Sequence, residues 1–264
     1  MLVDSHCHLD YPALAKDREG VLARARQAGV ERMINISTTK TDFPAVLTTA
    51  EGYDDVFCSV GAHPHHVAED GEDFTLQELI DHAAHPKVVG IGETGLDYFY
   101  DHAPRDAQQE SFRKHLRAAV AAKVPVIIHT RQAEEDTIKI LREEGATGQG
   151  GKLTGVLHCF TSRRELAEEA VALGFYISLS GILTFKKSQE LRDIARNVPM
   201  DRLLVETDAP FLAPEPFRGK ICEPAHVANT AKVLAEIKGV STDEIARQTT
   251  DNFFRLFTKV DRTT

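Results

Sequence analysis

Residues 4–10 read DSHCHLD, with His6 and His8 two positions apart at the end of a short apolar run. Side chains at i and i+2 of a strand point to the same face, so the two imidazoles project together. A metal ion is the chemistry that would use such a pair. A surface or capping pair is the plain alternative, and His-x-His alone does not decide between them. Four further apolar runs each finish on one residue able to bind a metal: Glu93 in VVGIGETGLDY, His129 in VPVIIHTR, His158 in GVLHCF and Asp208 in LLVETDAPFL. Singly, each has an ordinary explanation: a buried histidine with a satisfied hydrogen bond, a carboxylate capping a turn, an Asx-turn before Ala-Pro. Chance does not favour all of them at the same end of five strands. Four histidines and two carboxylates exceed what one tetrahedral ion needs, and they suit two divalent ions with a bridging carboxylate. Glu93 is central in strand order and is the expected bridge. Mixed nitrogen and oxygen donors favour zinc, manganese or nickel, with magnesium the oxygen-preferring fourth candidate.

Such convergence needs a scaffold. Short apolar runs at Leu2–His6, Arg32–Ser37, Val56–Ala62, Val88–Glu93, Pro125–His129, Thr154–Cys159, Phe175–Ser180 and Leu203–Asp208 read as strands. Amphipathic stretches alternate with them: Arg18–Ala28, Asp42–Glu51, Leu76–Ala84, Arg105–Lys123, Glu134–Glu144, Arg163–Leu173 and Gln189–Asn197, then Ala225–Lys238 and Thr242–Phe257. Gly29 and Gly174 mark helix ends, Thr161–Ser162 is placed to cap the helix opening at Arg163, and Ser241 with Glu244 forms a capping-box pattern. Eight strand-then-helix units predict an α/β fold, the (β/α)8 TIM barrel, whose active sites sit at the C-terminal strand ends. A doubly wound sheet would bring a glycine-rich phosphate loop after the first strand, and HCHLDYPALAKD stands there instead. Without repeat or linker, residues 1–258 read as a single domain, with 145–151 a flexible loop and 259–264 a frayed tail. Cys7 and Cys159 alternate away from the histidines beside them and are expected to pack among the helices.

The chain has 264 residues, 42% hydrophobic and 27% charged, the composition of an ordinary globular domain with a substantial core. Four scattered cysteines lack any Cys-x-x-Cys, which fits a reducing compartment rather than a disulfide framework. With no signal segment and no apolar run long enough to span a bilayer, the expected location is cytoplasmic. Lys plus Arg number 31 against 40 Asp plus Glu, a net charge of -9. That balance argues against coating duplex DNA by electrostatics alone, though not against a nuclease with a locally positive metal-bearing cleft.

DSHCHLD, GAHPH, GIGETGLDY, IHTRQA, GVLHCF, SLSGILTF and VETDAPFLAP occur in that order between residues 4 and 214. In these motifs the chain resembles the TatD-related metal-dependent DNase family, within the amidohydrolase superfamily. The resemblance implies a two-metal barrel that hydrolyses phosphodiester bonds in DNA. Its ligands would fall on His6, His8, Glu93, His129, His158 and Asp208, the set reached from strand ends. Some members lack the His-x-His, so this chain resembles the fuller two-metal type. One departure is Cys222, in RGKICEP, where relatives often carry asparagine.

In the expected mechanism the ions activate a water and stabilise developing charge on phosphate, with Asp208 taking the water's proton. His63 and His65, in GAHPHH, and Arg131, two past His129, are the expected phosphate contacts, with an exposed turn and a surface ion pair as the ordinary alternatives. A DNA substrate entering a concave barrel mouth favours single strands or frayed ends and exonucleolytic cutting. Two other classes use related sites. An amide or ester hydrolase, such as one removing a misattached amino acid from transfer RNA, would share the metal chemistry. Many such relatives bridge their metals with a modified lysine at the fourth strand end, where this chain has Glu93; Lys87 lies before that strand. A noncatalytic scaffold with a structural ion would need only four ligands.

Overall fold

Strands covered on both faces read as unbroken apolar runs. In the computed structural model of the protein every residue of β1 (Leu2–Cys7), β3 (Val56–Val60) and β4 (Val88–Asp97) is buried. With β2 (Val30–Asn35), β5 (Val126–Arg131), β6 (Gly155–Leu157), β7 (Tyr176–Leu179) and β8 (Leu203–Val205), they pair in parallel in chain order as an eight-stranded sheet. The structure describes residues 1–148 and 150–262. The helices are α1 (Pro12–Ala15), α2 (Arg18–Gln27), α3 (Phe43–Gly52), α4 (Leu76–Ala83), α5 (Arg105–Ala122), α6 (Glu134–Glu143), α7 (Arg164–Ala172), α8 (Gln189–Asn197), α9 (Val227–Lys238) and α10 (Thr242–Leu256). This is the expected single-domain (β/α)8 barrel, nearly closed. None of the helices among the described residues is long and apolar enough to cross a membrane.

The first and last strands meet by a bridge between Cys7 and Ala209, by Asp208 N–H donating to the His6 carbonyl at 2.9 Å and by His8 N–H donating to the Ala209 carbonyl at 2.8 Å. Asp4 completes the seam, accepting from the Thr207 backbone N–H at 2.9 Å and its hydroxyl at 2.5 Å. Burial pushes the Asp4 carboxyl up to about 8, against the pull of the Thr207 hydrogen bonds.

Inside the barrel one apolar side chain from each strand, from Val3 and Ile34 round to Tyr176 and Leu204, meets Phe253, Leu256, Phe257 and Val260. Each such side chain contributes about 1.5–3 kcal/mol by leaving water. The apolar plug closes one end and leaves the polar residues to the other. It also extends past the last helix. Of residues 259–264, expected to fray, Lys259 and Val260 are held: Val260 lies in the plug, and Lys259 Nζ donates to the carbonyls of Ala83, His85 and Val88 at 2.6–2.8 Å. Residues 263 and 264, and residue 149 of the expected flexible loop, lie outside the described residues.

Strand ends differ from expectation in an instructive way. β4 runs on to Asp97, pairing Gly95 with His129 and Asp97 with Arg131. The glycines permit it: Gly92 and Gly95 have φ of +143° and +136°, and a Cβ on Gly95 would sit 2.0 Å from the His129 carbonyl oxygen. β6 and β8 stop early, so His158 and Asp208 stand just past strand ends, beside left-handed turns at Cys159 (φ +43°) and at Asp208 itself (φ +60°). Ser241 caps α10 by accepting from Glu244 N–H at 3.1 Å. Thr161–Ser162 does not cap α7: that helix opens at Arg164 with no side-chain cap, and the Ser162 hydroxyl instead donates to Glu134 across the neighbouring loop.

Candidate active site

The residues at the C-terminal strand ends converge on one cluster. His6 Nε2 lies 3.3 Å from His8 Nε2, 3.4 Å from Glu93 Oε2 and 3.6 Å from Asp208 Oδ1. His8 Nε2 is 3.3 Å from Asp208 Oδ1. The other Glu93 oxygen, Oε1, lies 2.8 Å from His158 Nε2, 3.2 Å from His129 Nδ1 and 3.4 Å from His63 Nε2. All six residues expected as ligands are therefore brought together.

Donor chemistry tests whether metal fits. Ionised carboxylates only accept hydrogen bonds, and a neutral imidazole has a single donor. Buried acceptor-capable atoms this close must share a proton or a metal ion. Among the described residues, three trios have their ligating atoms within 4.8 Å: His6, His8 and Glu93; His6, His158 and Glu206; and His63, Glu93 and His129. The first and third share Glu93 and none of their other members, as a bridging carboxylate would. The residues present therefore fit a metal.

The surrounding charges agree. Burial opposes charge on Glu93, but His158 and His63 overrule it and hold the carboxyl well below the usual range. Burial, opposed by Glu93 and helped by His129, His65 and His158, holds His63 well below its ordinary value. His63, expected to touch phosphate, thus sits among the ligand-capable groups. His65 sits outside them, with Nε2 2.9 Å from Asp97 Oδ2. Arg131 is exposed at the rim, its guanidinium over the rings of Phe99 and Tyr100.

Several residues went unnoticed in the sequence. Asp97 Oδ2 lies 3.0 Å from His129 Nε2 as well as beside His65, and Oδ1 accepts from the Phe99 and Tyr100 N–H groups at 3.0 and 2.9 Å. Glu206 Oε1 lies 3.3 Å from His158 Nδ1 and accepts from Cys159 N–H at 2.6 Å. Both carboxylates orient a histidine through its second ring nitrogen. The only available signal was position: Asp97 ends GETGLD, and Glu206 stands two before Asp208. Cys159 corrects the expected alternation. Its left-handed backbone turns the thiol away from the helices onto the cavity wall, 3.3 Å from the Ser180 hydroxyl. Cys7 does pack in the outer core, and all four cysteines are free. Lys87 donates to carbonyls of Tyr53, Asp54 and Val56 before the strands begin, far from the bridging position. Cys222 is buried, its N–H donating to the Pro210 carbonyl at 3.0 Å, so it packs behind the β8 loop.

The cluster floors a cavity of about 930 Å³, walled by Phe99, Tyr100 and Arg131 on one side and by Tyr11 and Phe211 on another. Lys186, Lys187, Arg218 and Lys220 are exposed on the loops after β7 and β8, with no carboxylate partner among the described residues. Those loops pack together, with Arg218 over the Phe185 ring at 3.7 Å.

Comparison with known proteins agrees with this geometry. A profile described as TatD related DNase matches residues 3–258. The metal-dependent hydrolase YcfH of Escherichia coli K12 is 48% identical over 259 residues, covering 97% of this chain and 95% of its own. YabD of Bacillus subtilis 168, also named a metal-dependent hydrolase, is 41% identical over 260 residues, covering 97% and 99%. Among solved structures, the TatD homolog YJJV from Escherichia coli K12 superposes with a TM-score of 0.87 at 32% identity, covering 97% of this chain and 98% of that one.

Proposed function

Because the chain belongs to the TatD-related DNase family and is a metal-dependent hydrolase, we propose that it hydrolyses phosphodiester bonds in DNA, acting from free ends with a preference for single strands. The observation that carries the reading is Glu93, shared by two otherwise separate ligand-capable trios at the floor of an open cavity. His6, His8 and Asp208 would hold one ion beside Glu93, and His129 and His158 a second, with His63 next to them. Zinc, manganese, nickel and magnesium are the candidate ions. When bound, they supply positive charge for a phosphoryl group and acidity for a water molecule.

The chain's own residues do the rest. Asp208, held ionised because His8 and His6 outweigh the cost of its burial, accepts a proton at Oδ1. His65, fixed by Asp97, reaches the same cavity and donates a proton or a hydrogen bond to the leaving oxygen. Arg131 and the four unpaired cations after β7 and β8 hold flanking phosphates. These cations offset locally the net charge of -9.

The test is a time course of metal-supplemented protein on linear single-stranded, linear duplex and closed circular DNA at one salt concentration, beside a panel of amides and esters. The expected order is linear single strand first and closed circle last. Nicking of the closed circle as fast as the linear strand would overturn end-directed entry. Turnover of an ester or amide with none of DNA would overturn the substrate class.

A further inference from the structure

Among the described residues, the exposed aromatic side chains are Phe99 and Tyr100, each 50% exposed, and Phe211, 47% exposed, and all of them line the active-site cavity. Solvent-facing rings are unfavourable unless something covers them. Each set is also registered to the catalytic floor by backbone hydrogen bonds. Phe99 and Tyr100 donate their N–H groups to Asp97, the carboxylate beside His129. Phe211 N–H donates to the carbonyl of Asp208 at 2.9 Å.

The two walls are built alike. Phe99 and Tyr100 meet edge to face with centroids 4.9 Å apart, and the Arg131 guanidinium lies 4.2 and 4.7 Å from their centroids. Across the floor Tyr11 and Phe211 meet at 5.4 Å, also edge to face. A cation within an aromatic wall suits an occupant that is both planar and anionic.

Resting on the phosphodiesterase reading above, we propose that these walls are two base-stacking shelves. A phosphate over the Glu93 floor would have the base on one side against Phe99 and Tyr100 and the base on the other against Phe211. The occupant is an unpaired nucleic-acid strand, because base pairing and stacking in a duplex hide the ring faces that the shelves need. The shelves thus make single-strand preference a property of side chains and not only of cavity shape.

The experiment is fluorescence anisotropy of the metal-loaded enzyme with a labelled, cleavage-resistant phosphorothioate thymidine hexamer and with a hexamer of abasic units bearing the same charge. The wild type should bind the thymidine strand about tenfold or more tightly than the abasic one, about 1.4 kcal/mol. The double variant F99A/Y100A, and separately F211A, should lose most of that preference while binding the abasic strand unchanged. Melting curves check that these surface variants remain folded, and F99W/Y100W should retain the preference. Equal wild-type affinity for the two strands, or full preference in both alanine variants, would overturn the shelves. Hydrolysis of ordinary DNA is measured in parallel. Hydrolysis without base preference sinks the shelves alone, whereas base preference without hydrolysis of any DNA supports the shelves and sinks the nuclease reading.

Discussion

His6 and His158 stack face to face, with ring centroids 3.8 Å apart and planes within 6° of parallel. Two imidazolium rings would repel strongly at that distance in buried surroundings. Burial and then His158 hold His6 below its ordinary range. His158 goes the other way: burial opposes its charge, but Glu93 and Glu206 overrule it and hold the ring well above its usual value. Without metal, His158 is the charged member of the pair.

A histidine must lose its ring proton to ligate a metal, so metal uptake should release a proton from His158. Apparent affinity should therefore rise with pH near neutrality, by about tenfold per pH unit for each proton released. Titration calorimetry at several pH values, in buffers of different ionisation enthalpy, measures this. Chelation should abolish hydrolysis and added divalent ion should restore it. Full activity after chelation, with metal analysis confirming that the ions are gone, would remove the metal mechanism.

Glu93→Gln should lower turnover by several orders of magnitude while the barrel still folds, because the substitution removes the charge that two sets of histidines share. Steady-state kinetics with metal content and circular dichroism checks it. Activity within about tenfold of wild type would mean a barrier change under about 1.4 kcal/mol, too small for a bridging carboxylate.

Asp97→Asn should lower metal affinity or kcat by about 10- to 100-fold, the usual effect of loosening a group that orients a ligand. Burial raises the Asp97 carboxyl, but hydrogen bonds from His129 and His65 outweigh it and hold the group below its ordinary value. The amide would keep the size and lose that charge. Metal binding by His129→Ala and by the double variant tells whether Asp97 acts through His129. Additive losses would show that it does not.

His115 links stability to pH. Its Nδ1–H donates to the Ser111 carbonyl at 2.8 Å, and Nε2 accepts from Ala62 N–H at 3.1 Å. Protonation at Nε2 would set two N–H groups against each other, and burial holds the ring at about 4, below the ordinary 6.5. A base that binds protons less readily when folded contributes full stability above the unfolded pKa and loses it as pH falls through the folded one. Between 6.5 and 4 that loss is on the order of 3 kcal/mol for this residue. Urea unfolding across that window should show a steeper decline for wild type than for His115→Gln, even though the variant starts less stable. Parallel curves would dismiss the role.

The barrel, and the meeting of the six expected ligands at one end of it, were legible in the sequence because their signals are local. An apolar run ending on His129 or His158 declares both a buried strand and a polar end, and eight such runs define a barrel whose ends must meet. Tertiary structure decided what depends on backbone direction past those ends. Glycines at 92 and 95 let β4 continue to Asp97, and nothing local says that this carboxylate will meet His65 and His129. The left-handed turn at Cys159 reverses the alternation that would have sent the thiol among the helices. Lys186 and Arg218 are thirty-two positions apart in the chain and carry no stripe pattern, yet their loops pack together, with Arg218 over the Phe185 ring. Residue type and period act over a few neighbours, whereas these placements arise only when separate loops fold over a shared floor.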